Sequence, residues 1–94
     1  MSGLVLAVIA RVPPEGIAAF QAYEAAVLPL LANYAGTLER RMRNEDGTTE
    51  LHVVRFASRS EFEGFRADPN RLAAAPVLQQ SGAVIELMEL HDVE

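Results

Sequence analysis

The 94 residues suffice for one domain and not for two. Acidic side chains outnumber basic ones by 13 to 8, a formal charge of −5, which speaks against a nucleic-acid binder with its clustered basic footprint. Without cysteine the chain has no disulfide, no thiolate chemistry and no cysteine-ligated zinc, a composition that fits a reducing cytoplasm.

No stretch approaches the roughly 18 apolar residues of a membrane helix. The run from Leu4 to Val12 is broken by Arg11 and preceded by no basic residue, so it does not read as a signal peptide. Leu4–Val12 is instead short, apolar and rich in β-branched residues, the pattern of a central strand covered on both faces. Pro13 and Pro14 end it, since proline cannot donate to a ladder but suits a first helical turn. Phe20, Tyr23, Val27, Leu30 and Tyr34 then recur at helical spacing and predict a helix from about Pro14 to Tyr34, bent near Pro29 and stopped at Gly36.

Thr37–Glu45 and Thr48–Ala57 flank Asp46-Gly47, a strong two-residue hairpin signal. A turn there makes paired residue numbers sum to 93, setting Arg43 against Glu50, Met42 against Leu51 and Arg41 against His52. Ser60-Glu61-Phe62-Glu63 has the form of a capping box and predicts the start of a second helix with Phe62 and Phe65 inward. Asp68-Pro69-Asn70 predicts a fresh N-cap and a further helix to about Gln80, with Leu72, Ala75 and Leu78 inward and Gly82 closing it. Ala83–His91 reads as the last strand, with Ile85 and Leu87 on one face and Val84, Met88 and Leu90 on the other.

The order is β-α-β-β-α-β across residues 1–94, a single α+β domain of the ferredoxin-like kind. A right-handed crossover leaves a gap beside the first strand for the hairpin's second arm, and the last strand joins the other side. Both helices then cover one face of a four-stranded antiparallel sheet. The bare face, apolar in its central strands, calls for a second copy stacked upon it.

Several segments in order resemble the dimeric α+β barrel superfamily. They are Ile9-Ala10-Arg11-Val12, Tyr34-Ala35-Gly36, Val53-Val54-Arg55-Phe56-Ala57-Ser58, and Asp68-Pro69 with the Leu72–Gln80 segment after it. The nearest likeness is to small bacterial proteins of unknown function, and a more distant one to antibiotic-biosynthesis-monooxygenase-like proteins. The resemblance implies a homodimer. It supplies no catalytic set, since the chain lacks tryptophan and its asparagines stand near turns and helix ends.

The more apolar hairpin set is Leu38, Arg40, Met42, Leu51, Val53 and Arg55, which is expected to face the helices. Glu39, Arg41 and His52 would then line the barrel together. In that trio Arg41 would hold an anionic oxygen, His52 would move a proton and Glu39 would orient the histidine. Tyr23 and Tyr34, on the apolar helix stripe, are core residues that could also contact a ligand. These residues point to a small organic ligand, with cofactor-free proton transfer or oxygenation and no redox cofactor or metal. The alternative is a non-catalytic dimeric module whose polar pairs serve assembly alone. Arg59, Arg66 and Arg71, set among Glu61, Glu63 and Asp68, are expected to form a solvated, internally paired face.

Overall fold

The computed structural model describes residues 3–93. In chain order it has β1 (Leu4–Arg11), α1 (Ile17–Val27), β2 (Gly36–Arg43), β3 (Thr49–Phe56), α2 (Arg59–Arg66), α3 (Pro69–Ser81) and β4 (Val84–Leu90). Single-turn and longer 3-10 segments, Pro14–Gly16 and Leu28–Tyr34, flank α1. The expected long first helix is therefore three pieces. Pro29 at the start of the second 3-10 segment removes an α-type donor, and the chain tightens there instead of bending as one helix. The left-handed stop is Ala35 at φ 50°, one residue before the glycine that was expected to supply it. Gly36 already belongs to β2, where a Cβ would stand 2.9 Å from the Phe56 ring.

The strands form one antiparallel sheet in the order β2-β3-β1-β4, as the crossover argument requires. The hairpin register sums to 93 from Arg43↔Glu50 through Arg40↔Val53, then slips at Glu39 so that Leu38 pairs with Val54. Its turn is longer than two residues. Gly47 donates to the Asn44 carbonyl at 3.2 Å, and Gly47 alone in the turn takes positive φ. The Asp46 carboxylate accepts from the Thr48 amide at 3.0 Å, which ties the loop without a second left-handed residue.

Capping explains the helix starts. Ser58 Oγ accepts from the Glu61 amide at 3.2 Å, so α2 begins at Arg59, earlier than the box read at Ser60. Asp68 caps α3 as expected, accepting from the amides of Asn70 and Arg71 at 2.8 and 3.0 Å. The α-helical assignment of α3 continues through Pro76 to Ser81. Leu72, expected inward, is 55% exposed.

All helices lie on one face of the sheet. Leu6, Val54 and Phe56 pack there against Leu31 and Phe62, and a second cluster joins Ala10 and Val12 to Phe20. A Cβ at Gly16 would come within 1.8 Å of the Ser81 carbonyl oxygen, so only glycine lets the start of α1 meet the end of α3. The opposite sheet face is uncovered, with Met42, Val84, Met88 and Leu90 exposed. No helix among the described residues is long and apolar enough to cross a membrane.

Candidate functional site

Strand alternation decides what faces the helices. In β3 the buried residues are Glu50, His52, Val54 and Phe56, while Leu51, Val53 and Arg55 lie on the other face. The face expected from the hairpin is thus reversed. Val54 and Phe56 bury more apolar area beside Leu6 than Val53 could, and Arg55 and Arg40 keep their guanidiniums at the uncovered surface. The bulge at Glu39 hid this from a parity argument. It lets Leu38 and Arg41 both point inward, although they differ in parity, with Glu39 and Arg40 between them turned outward.

Between the helices and the sheet lies a cavity of about 230 Å³. Leu6, Val54, Phe56, Phe62 and Leu31 give one end an apolar wall. Ile85 and Leu87 of β4 line it too and remain 40% and 49% exposed. Tyr23, Glu24 and His52 form a polar wall, and Arg66 and Arg71 complete the polar lining.

That wall is built around Glu50, which is 1% exposed. Arg41 Nε donates to its Oε1 and Arg43 Nε to its Oε2, both at 2.8 Å, and His52 Nε2 stands 2.6 Å from Oε1. Burial alone would raise the Glu50 carboxyl, but the hydrogen bonds from His52, Arg41 and Arg43 outweigh it and hold it at about 2. An ionised carboxylate can only accept, so His52 Nε2 carries the proton of the 2.6 Å bond. Glu24 Oε2 lies 3.3 Å from the same nitrogen, whose single proton is already given away. This oxygen is buried and, among the described residues, has no hydrogen-bond partner. Burial and the Glu50 charge push the Glu24 carboxyl up to about 7, against the pull of Arg41, Arg43 and Arg71.

Arg41 and His52 are cross-strand partners, as the register predicted, but in the helix-side layer and not on a barrel face. Glu39 is not with them: it points to the uncovered face and accepts from Arg55 Nε at 2.9 Å. It cannot orient His52; Glu50 holds that ring instead. Tyr23 lines the cavity. Tyr34 does not; its hydroxyl donates to Asp68 Oδ2 at 2.6 Å and its ring packs on Phe65. Glu24 was overlooked, although it stands four residues after Phe20 and three before Val27, inside the apolar stripe of α1. A carboxylate at a core position is itself a signal. Glu50 was seen only as an ion-pair partner of Arg43.

Glu24, Glu50 and His52 each offer a ligand atom within 4.8 Å of the others, the spacing of a metal site. Both oxygens of Glu50 already hold guanidiniums, however, and His52 Nε2 is protonated toward it. A divalent cation would have to break that bond beside two arginines, so the donor set fits proton chemistry better than a cation.

Fold and site together define a ferredoxin-like α+β protein with a ligand-sized cavity under its helices. No family model matches the chain, and no curated protein does. Among solved structures it is similar to Rv0793 from Mycobacterium tuberculosis, at 19% identity and a TM-score of 0.78 over 99% of this chain and 97% of that one. It is also similar to SnoaB, a cofactor-independent oxygenase from Streptomyces nogalater, at 18% identity and a TM-score of 0.74 over 100% and 96%. A protein of Nitrosomonas europaea provisionally assigned as an antibiotic biosynthesis monooxygenase gives 12% identity and a TM-score of 0.79 over 97% and 90%. At these identities the likeness establishes the fold alone, a ferredoxin-like α+β architecture.

Proposed function

We propose that the chain binds a small organic molecule in the cavity between helices and sheet and that Glu24 exchanges a proton with it. The observation that carries this is the buried Glu24 Oε2, which has no partner and belongs to a residue of the cavity wall. A group held near 7 is divided between acid and carboxylate at neutral pH, the condition for efficient general acid–base work. Glu24 would take the proton of an acidic O–H or C–H, leaving the electron pair on the substrate. Arg41 and His52, expected to bind an anion and move a proton, would here fix Glu50, whose charge raises the basicity of Glu24. The likeness to a cofactor-independent oxygenase supports a reading in which the resulting anion is the species that meets dioxygen.

A second copy of the chain would cover the uncovered sheet face. Its centre carries Ala7 and Ile9 of β1 with Leu51 and Val53 of β3; Met42, Val84, Met88 and Leu90 extend it over the two edge strands, and the Arg11–Glu86 and Glu39–Arg55 pairs give it both signs of charge. Such a surface meets its own copy without like-charge contact. Sedimentation should report a dimer, and Met88→Asp should release monomers; a monomeric native chain at micromolar concentration overturns this part.

The test of the cavity is a thermal-shift panel of one- and two-ring phenols, enols and aromatic acids. Compounds with an acidic hydroxyl should raise Tm, and their affinity should change with pH around 7. The Glu24→Gln variant should keep binding and lose that pH dependence. A panel without a stabilising compound would favour the non-catalytic module.

A further inference from the structure

Arg71 breaks the pattern of the other arginines near the second and third helices. Arg59 reaches Glu89 at 2.6 Å, and Arg66, which also lines the cavity and sits 5.5 Å from the centre of the Phe62 ring, reaches Glu63 at 3.6 Å, both ion pairs at the exposed surface. Arg71 is half-buried, lines the cavity, and has no carboxylate within 4.0 Å among the described residues. Its one hydrogen bond from the guanidinium goes from Nη1 to the Arg66 carbonyl at 3.1 Å. Its Nε is buried and has no partner among the described residues.

The side chain is also held in place. The guanidinium carbon sits 5.4 Å from the centre of the Phe65 ring, a cation–π contact. The backbone amide of Arg71 is fixed by Asp68 Oδ1 at 3.0 Å. Asp68 makes no ion pair with the guanidinium within 4.0 Å, and its oxygens accept instead from Tyr34 and from two amides. Arginine stays charged under all ordinary conditions, and a buried donor left without an acceptor is costly. Across the cavity its charge acts on both the Tyr23 hydroxyl and the Glu24 carboxyl. Among the described residues, the buried unpartnered donor Arg71 Nε and the buried unpartnered acceptor Glu24 Oε2 therefore belong to residues lining one cavity.

We propose that Arg71 forms an anion subsite, so that the cavity selects a small apolar molecule carrying a carboxylate or similar oxyanion at one end and a proton donor at the other. This rests on the reading that the cavity binds a ligand, and it narrows the ligand's class. Size is consistent with this: about 150 Å³ holds a benzene ring, so about 230 Å³ accommodates one ring or two. Nε of Arg71 meets the oxyanion, Tyr23 flanks the body, and Glu24 accepts from the hydroxyl.

Calorimetry on the full chain with 6-hydroxy-2-naphthoate and its neutral carboxamide separates the subsite from the cavity. The carboxylate is expected to bind at least about tenfold tighter than the carboxamide, within the range of a charge-assisted hydrogen bond. Arg71→Met, which keeps the stem over Phe65, should erase that preference and leave carboxamide affinity within about twofold. Arg71→Lys, which keeps the charge but not Nε, should retain only part of it. Equal binding of the two compounds, or a preference that survives Arg71→Met, overturns the subsite and leaves the cavity reading standing. Binding of neither overturns both.

Discussion

The two halves of the inner face of β3 are buried alike and stabilised differently. Phe56 and Val54 meet Leu6, Leu31 and Phe62, and nothing there needs a partner beyond shape. His52 and Glu50, one and two pleats before Val54, face Val8 and Ala10 of β1 in the same sheet and are 5% and 1% exposed. There every hydrogen-bonding position has to be accounted for, and the accounting does not close at Glu24. The comparison teaches that depth alone does not mark a site. The mark is a buried polar atom left open when its neighbours are all satisfied.

Four substitutions or titrations would sharpen that contrast, from the largest effect down. Phe56→Ala should cost about 4 kcal/mol in denaturant unfolding, since it opens a cavity in the apolar half. A loss under about 1 kcal/mol would mean that half is loosely packed. Glu50→Gln should cost about 3 kcal/mol, the lower end for breaking a buried charge network, because Arg41 and Arg43 are partly exposed and can turn to water.

Titration tests the polar half directly. Glu24 has its folded pKa raised to about 7 from 4.5, so the folded state binds more protons between those values and stability falls as pH rises through that window. Glu50 has its pKa lowered to about 2, so its stabilisation is complete above 4.5 and is lost as pH falls toward 2. The stability maximum should lie near pH 4.5, with a decline toward neutrality on the order of 2–3 kcal/mol. Glu24→Gln should flatten that decline and leave the acid limb unchanged; persistence of the neutral-side decline would show that another group causes it. The smallest effect belongs to the uncovered face, where Glu39→Ala should change stability by less than about 1 kcal/mol, because its pair with Arg55 is half exposed. A larger loss would give Glu39 a structural role that the pair alone does not explain.

The element order, the strand order and most element positions were legible because they rest on local causes. Alternation, helical spacing, the Asp68 cap and the left-handed glycines act within a few residues of themselves. The candidate site was legible only in part. Arg41 and His52 were correctly paired across the hairpin, but Glu39 was assigned to them by a parity that the bulge breaks. Ser58 displaced Ser60 as the cap because two overlapping serine-to-glutamate patterns compete there, and the observed one uses Glu61.

Sequence alone determined that this chain makes a four-stranded antiparallel sheet with helices on one side, since backbone hydrogen bonding and apolar periodicity are properties of neighbouring residues. Which face of the hairpin those helices cover was decided only in three dimensions. That choice depends on the total apolar area of Leu6, Val54, Phe56 and Phe62 brought together from three elements. The isolation of Glu24 Oε2 and of Arg71 Nε depends in the same way on what does not reach them, which no local pattern records.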